Sequence, residues 1–262
     1  MNTLVARIEG IGFWSDGLPS WEAARGFVAS GHVVDDAPAR PTPALLAPNE
    51  RRRAPQSVAV ALDVALAACT AAGREPSTLP SVFASAHGDL AITDYMCATL
   101  ASAPRTISPT RFHNSVHNAA AGYWTIGTGC LQPATAVSAL HATFAQALLE
   151  ALSQVVADGM PVLLVAYDTT AVGPLGTVSP SAGLLGGALV LATGDGPGMR
   201  LRATLVDTAA TRDVHEGRLA RHARGNAMAP MLPLFDALAI GDDLALLDAG
   251  DGRTLRVELA DG

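Results

Sequence analysis

The run PVLLVAYD, residues 161–168, constrains this chain more than any other stretch. It is apolar almost without interruption, and it follows a strongly amphipathic helical pattern, ALHATFAQALLEALSQVVADG, that stops at Gly159. A short unbroken apolar run bounded by turn residues is predicted as a strand buried on both faces, the kind found in parallel or mixed sheets with helices over them. SVFASAHGDL, from Ser81, has the same character, and its closing residues put His87 and Asp89 at a strand's carboxyl end. Ligands of open α/β sheets bind at that edge. With no partner residue evident for either side chain, an ordinary polar turn is the simpler expectation.

Further strands are predicted at LVARIEGIGFW, with a glycine-marked exit, and at ATAVS, GGALVLAT and RLRATLVDTA. The last two read as adjacent strands joined by the turn GDGPG. DGLPSWEAARGFVASG predicts a turn and a helix capped near Ser20 and stopped by Gly31. Val33 to Pro48 reads as a surface connection. NERRRAPQSVAVALDVALAACTAAG reads as one helix with Arg51 to Arg53 at its solvated start. The polar, arginine- and histidine-rich stretch from Thr211 to Asn226 precedes mixed segments that end in RTLRVEL.

Composition excludes several chemistries. All 17 basic groups are arginine, so no lysine exists to form a Schiff base or to hold pyridoxal phosphate, and no cofactor is expected. A net charge of −7 argues against binding nucleic acid through its phosphates. Cys69, Cys97 and Cys130 are odd in number and contain no C-x-x-C pair, which fits a reducing compartment and a cytoplasmic protein. The N-terminus has no signal-peptide core, and no apolar run is long enough to span a bilayer.

TRFHNSVHNAAAGYW places His113 and His117 four residues apart, a spacing that suits a shared metal ion only if both lie on one helix. Ser115 is predicted to cap the helix that follows, which would leave His113 outside it. Asn114 also stands where the H-E-x-x-H pattern needs its glutamate. No metal is expected. The small residues Ala119 to Gly122, beside Tyr123 and Trp124, instead suit a packed interface helix.

The order of these pieces resembles the N-terminal half of a β-ketoacyl synthase, an α/β protein of thiolase-like fold with a layered α-β-α arrangement and a mixed sheet. ARIEGIGFWSDGLPSWEAARGFVASG is similar to that family's first strand, proline turn and glycine-stopped helix. The stretch from Ile107 to Asp168 follows the family's I-S-P start, its interface helix with A-G-x-x-x-I, its strand, nucleophile helix and next strand. The resemblance covers most of Leu4 to Thr193. It implies a single ketoacyl synthase-like (half-thiolase) domain over 1–262, with 194–262 as a C-terminal extension.

Synthases place a T-A-C-x-x-G cysteine at the start of the nucleophile helix, where the dipole stabilises the thiolate. Counting from Gln132 and Pro133 puts that position at His141, within a residue or two, and no cysteine lies there. The E-x-H-G-T-G-T and N-x-F-G-F-G-G-x-N patterns of the second half are also missing, and His215 and His222 read as surface residues. No catalytic residue is therefore expected. The resemblance is to the short, cysteine-lacking chain length factors, particularly those of bacterial aryl polyene clusters. It implies a heterodimer with a catalytic ketoacyl synthase that acts on polyketide- or fatty-acid-like chains carried by acyl carrier protein.

In that reading Phe112, His113, Asn114, His117, Asn118, Gly122, Tyr123 and Trp124 hold the interface or line the acyl tunnel, with Phe112, Tyr123 and Trp124 as bulky groups able to close it. Two alternatives stand beside it. One is a free-standing acyltransferase or thioester hydrolase using Ser138 or His141, with His87 or His117 as base. The other is a small-molecule binding module without cofactor.

Overall fold

The structure is a computed structural model that describes residues 3–194, 196, 198–208 and 216–261. Eight strands form one mixed sheet: β1 (Thr3–Ser15), β2 (Ser81–Ala84), β3 (Ala134–Val137), β4 (Val162–Asp168), β5 (Leu185–Ala192), β6 (Met199–Val206), β7 (Leu244–Gly250) and β8 (Arg253–Asp261), in the order β3-β2-β4-β5-β1-β6-β8-β7. The helices are α1 (Trp21–Ser30), α2 (Pro48–Arg53), α3 (Gln56–Ala72), α4 (Leu90–Ser102), α5 (Pro109–Asn114), α6 (Ala119–Thr128), α7 (Thr143–Asp158), α8 (Gly173–Val178), α9 (Arg218–His222) and α10 (Leu232–Ile240). This is the α/β, thiolase-like architecture expected of a ketoacyl synthase N-terminal half.

β2 pairs in parallel with β3 and β4, and β4 and β1 both run antiparallel to β5. β1, β2, β3 and β4 therefore point the same way, and Ser15, Ala84, Val137 and Asp168 end at one edge of the sheet. Every residue of β4 and β5 is buried, because helices cover both faces. On one face α3 and α6 pack with Trp14, Phe83, Trp124 and Tyr167. On the other, α7 and α10 enclose the larger core. Phe235 of α10 gathers Phe13, Trp21 and Phe144 at ring-centroid distances of 5.6, 5.9 and 6.3 Å, which fastens the C-terminal segment to β1, α1 and α7.

Two glycines of β1 follow from this layering. A Cβ at Gly10 would lie 2.2 Å from the Ala68 carbonyl oxygen, and one at Gly12 would lie 2.0 Å from that of Val64. Only glycine lets α3 settle so close to the strand.

α1 starts at Ser20, whose hydroxyl accepts from the Ala23 amide, and stops at Gly31 with φ 82°. The helix read from Asn49 to Gly73 is instead two. Ala54 is extended and Pro55 precedes α3 without an amide hydrogen to continue the ladder, so the chain turns between α2 and α3. The Arg51 guanidinium donates to the Leu46 carbonyl at 2.9 Å.

GGALVLAT and RLRATLVDTA are not a hairpin. β5 pairs with Arg7 to Ser15 of β1 on one side, and β6 with Thr3 to Ile8 on the other, so the two run in the same direction with β1 between them. β5 is buried on both faces and needs a paired neighbour along each side. β4 and β1 supply them, leaving no place for β6 there. Asp195 and Pro197 of the expected turn lie outside the described residues. After Glu216 the chain returns through α9 and α10 to β7 and β8, with β8 paired to β6 and β7 at the sheet's edge.

Candidate functional site at the carboxyl edge of the sheet

The polar groups of the molecule converge just beyond the ends of β2, β3 and β4. Asp168, the last residue of β4, is fully buried. Its carboxylate accepts from the Ser85 hydroxyl at 2.6 Å, the Ala86 amide at 2.9 Å and the His87 amide at 3.3 Å. Burial pushes this carboxyl above the ordinary aspartate range, while the Ser85 hydroxyl, the backbone donors and the nearby His87 pull the other way. The Ser85 hydroxyl in turn accepts from the Gly88 amide at 2.8 Å, which closes the turn.

Three further contacts radiate from this turn. His117 Nε2 lies 2.7 Å from the Ser85 carbonyl oxygen, and since a carbonyl only accepts, Nε2 carries the hydrogen. His87 Nε2 lies 2.7 Å from Ser179 Oγ, just beyond α8. The Ser138 hydroxyl donates to the Ala86 carbonyl at 3.1 Å. Asp89 caps α4 through the Ile92 amide and accepts from Ser57 of α3. The stretch after β2 is thus the hub of a network and not an ordinary turn. Its partners Asp168 and Ser179 are distant in sequence. An acid closing an otherwise apolar strand was the available signal for Asp168, and nothing in the sequence singles out Ser179.

The segment from Phe112 to Trp124 departs from the expected capping. Ser115 ends α5, its hydroxyl donating to the Phe112 carbonyl, because Pro109 with the Ser108 cap starts a separate helix earlier. α6 begins at Ala119, after Asn118, whose side chain makes no cap bond. His113 lies in α5 and His117 in the turn between the helices, so they do not share a helix face. Among the described residues no three His, Cys, Asp or Glu side chains are placed to hold a metal ion. His113 packs edge-on against Tyr123, and the Tyr123 hydroxyl donates to Asn114, which is buried. Trp124 is completely buried against Phe83, Asn118 is exposed, and Gly122 is half-buried. Phe112 is 60% exposed.

Between β3 and α7 the chain turns through Leu140, whose φ of 52° is left-handed, and then His141. This tight strand-to-helix turn is the geometry that presents a nucleophile in α/β enzymes. Here it presents an exposed leucine and an exposed histidine, with His141 Nε2 3.7 Å from Asp248 on β7. Ser138 gives its hydrogen to a carbonyl and not to an imidazole. Cys130 is buried before β3 and Cys69 is buried in α3, its thiol pushed up to about 12 by burial; Cys97 is exposed on α4. His222 is exposed and bonded to the Asp16 carbonyl at 2.8 Å, and His215 lies outside the described residues.

β3 forms one edge of the sheet, and no strand among the described residues pairs with its outer side. α6 packs beside it, and Ile126 and Leu131 are 79% and 97% exposed around that edge. No helix among the described residues is long and apolar enough to cross a membrane.

No curated protein matches the chain. Among solved structures, the chain is similar to one of a ketosynthase in complex with its chain length factor from Xenorhabdus doucetiae, at 23% identity and TM-score 0.75 over 97% of this chain and 99% of the other. It is similar to the ishigamide ketosynthase/chain length factor at 16% identity and TM-score 0.69, over 98% and 99% of the two chains. A type II polyketide synthase acyl carrier protein in complex with its ketosynthase matches at 11% identity and TM-score 0.71 over the whole of both chains. These likenesses establish the fold. The model of the beta-ketoacyl synthase N-terminal domain matches residues 21–238, most of the chain, and by that match the chain belongs to the β-ketoacyl synthase family.

Proposed function

We propose that this chain is a non-catalytic, chain length factor-like subunit. It pairs with a cysteine-bearing ketoacyl synthase in the cytoplasm and shapes the tunnel for a growing acyl chain delivered by acyl carrier protein. The observation that carries this reading is the turn at Leu140 and His141, where a family member built for condensation needs a thiol and this chain has none. A thiolate at that helix start attacks the acyl thioester, and neither leucine nor an imidazole facing Asp248 replaces it. The exposed Ile126 and Leu131 around the outer edge of β3 support a protein partner, since exposed apolar groups beside a free edge are a liability in a lone molecule. The free-standing enzyme reading loses support from Ser138, whose hydroxyl serves the Ala86 carbonyl.

An elongation assay tests the proposal. The purified chain, given acyl and malonyl carrier proteins, yields no lengthened product, and product appears when a cysteine-bearing synthase partner is added. In the reconstituted pair Phe112→Ala shifts the products to greater length, because removing a ring from a tunnel wall opens volume that an acyl chain would otherwise gain only by overpacking. Product from the chain alone, or a length distribution indifferent to this chain and its variant, overturns the reading.

A further inference from the structure

We propose that Ser179 is an acyl-accepting nucleophile with His87 as its base, at a site distinct from the strand-to-helix turn of Leu140. β4 and β5 are antiparallel neighbours that a tight turn would join, yet residues 169–184 make a long excursion between them. Long ordered loops of this kind are frequently functional. Its base is pinned: the Ala171 amide donates to the Ser181 carbonyl at 2.8 Å, the Gly183 amide to Thr170 Oγ1 at 3.0 Å, and the Asn226 side chain to the Ala182 carbonyl at 3.2 Å. Its tip, α8, carries Ser179 to His87, and Val172, Leu175 and Val178 of the same segment are exposed. Those side chains suit an acyl tail.

The 2.7 Å contact between Ser179 Oγ and His87 Nε2 is the nucleophile-to-base distance of serine acylation. The imidazole is held in place through its own backbone, whose amide lies within reach of both the Asp168 carboxylate and Ser85 Oγ. With an acyl thioester, Ser179 Oγ bonds to the carbonyl carbon and the carbon–sulfur bond breaks. The hydroxyl proton passes to His87 Nε2 and then to the departing thiolate, leaving an ester on Ser179 and a free thiol. His87 Nδ1 is buried with no hydrogen-bond partner among the described residues. Lacking the carboxylate that orients the base in a complete triad, the pair acts as a slow, single-use acceptor and not as a hydrolase.

The site is tested on the isolated full-length chain, independently of any pairing with a synthase. The protein is incubated with the octanoyl thioester of N-acetylcysteamine and, separately, with a fluorophosphonate, and adducts are mapped by peptide mass. The expected result is a single serine adduct on Ser179 with either probe, lost in Ser179→Ala. In His87→Gln, with an unchanged melting temperature, the rate falls about 100-fold, the scale of a lost general base. Should His87→Gln fail to fold, Ser179→Cys retains the base and gives a second readout, with iodoacetamide expected to alkylate that thiol faster than the exposed Cys97. Acyl groups found only on Cys97, equal rates with and without His87, or a Ser179→Cys thiol no faster than Cys97 overturns the assignment.

Discussion

Asp168 is the residue on which the carboxyl edge depends, and its burial makes a signed prediction. A folded-state pKa raised by desolvation means that the unfolded chain gives up this proton first. The stability held in the protonated carboxyl is fully present below the unfolded value, about 3.9 for aspartate, and is lost as pH rises through the higher folded value. Asp168→Asn has no such dependence, although its amide cannot accept from both Ser85 and Ala86, a cost that stays constant with pH. Urea midpoints of the two proteins measured from about pH 4 to neutrality should therefore show the wild type losing ground to the variant as pH rises. A wild type that gains ground over that window contradicts the raised value. The network itself was only half legible. His87 and Asp89 could be placed at a strand end because apolar runs announce strands, but their partners come from other strands and loops, and no local pattern encodes that meeting.

At the scale of elements, the best-read parts were those whose ends are set by local chemistry. Ser20 and Gly31 bound α1, Gly159 stops α7, and the apolar runs became β2, β4 and β5. Misreadings came where one signal had two meanings. Ser115 has a capping hydroxyl but uses it at the end of α5, and Pro55 lies inside a helical pattern whose two halves it separates. β5 and β6 look like a hairpin because they are sequential, while their pairing is decided by β1, far away in the chain.

The edge strand β3 yields a prediction of its own. The carbonyls of Pro133 and Val137 accept from Ser81 and Ser85, so alternate residues face β2, and the backbone of Ala134 and Ala136 points outward. Ala136→Pro removes an outward amide while leaving the β2 ladder intact. The variant should keep its thermal midpoint within a few degrees and lose association with the synthase by size-exclusion chromatography. Retained association would show that pairing does not run along this strand.

For the whole molecule, the segment after residue 194 changes the picture most. β6, β8 and β7 extend the same sheet beyond β1, and Gln146 of α7 donates to the Ala249 carbonyl of β7 at 2.7 Å, so the nucleophile-type helix is tied to the far edge as well as to the central strands. The sequence shows only mixed segments ending in RTLRVEL and not where they pair, because sheet order is a property of the folded chain. What results is a family fold whose strand-to-helix turn carries Leu140 and His141 and whose sheet ends at β3 on one side and β7 on the other. The most direct test of that account is light scattering on the chain co-expressed with a cysteine-bearing ketoacyl synthase of its source organism. The account predicts one species whose mass equals a single 26.8 kDa chain plus one synthase. Two proteins that elute independently, each at its own mass, would contradict it.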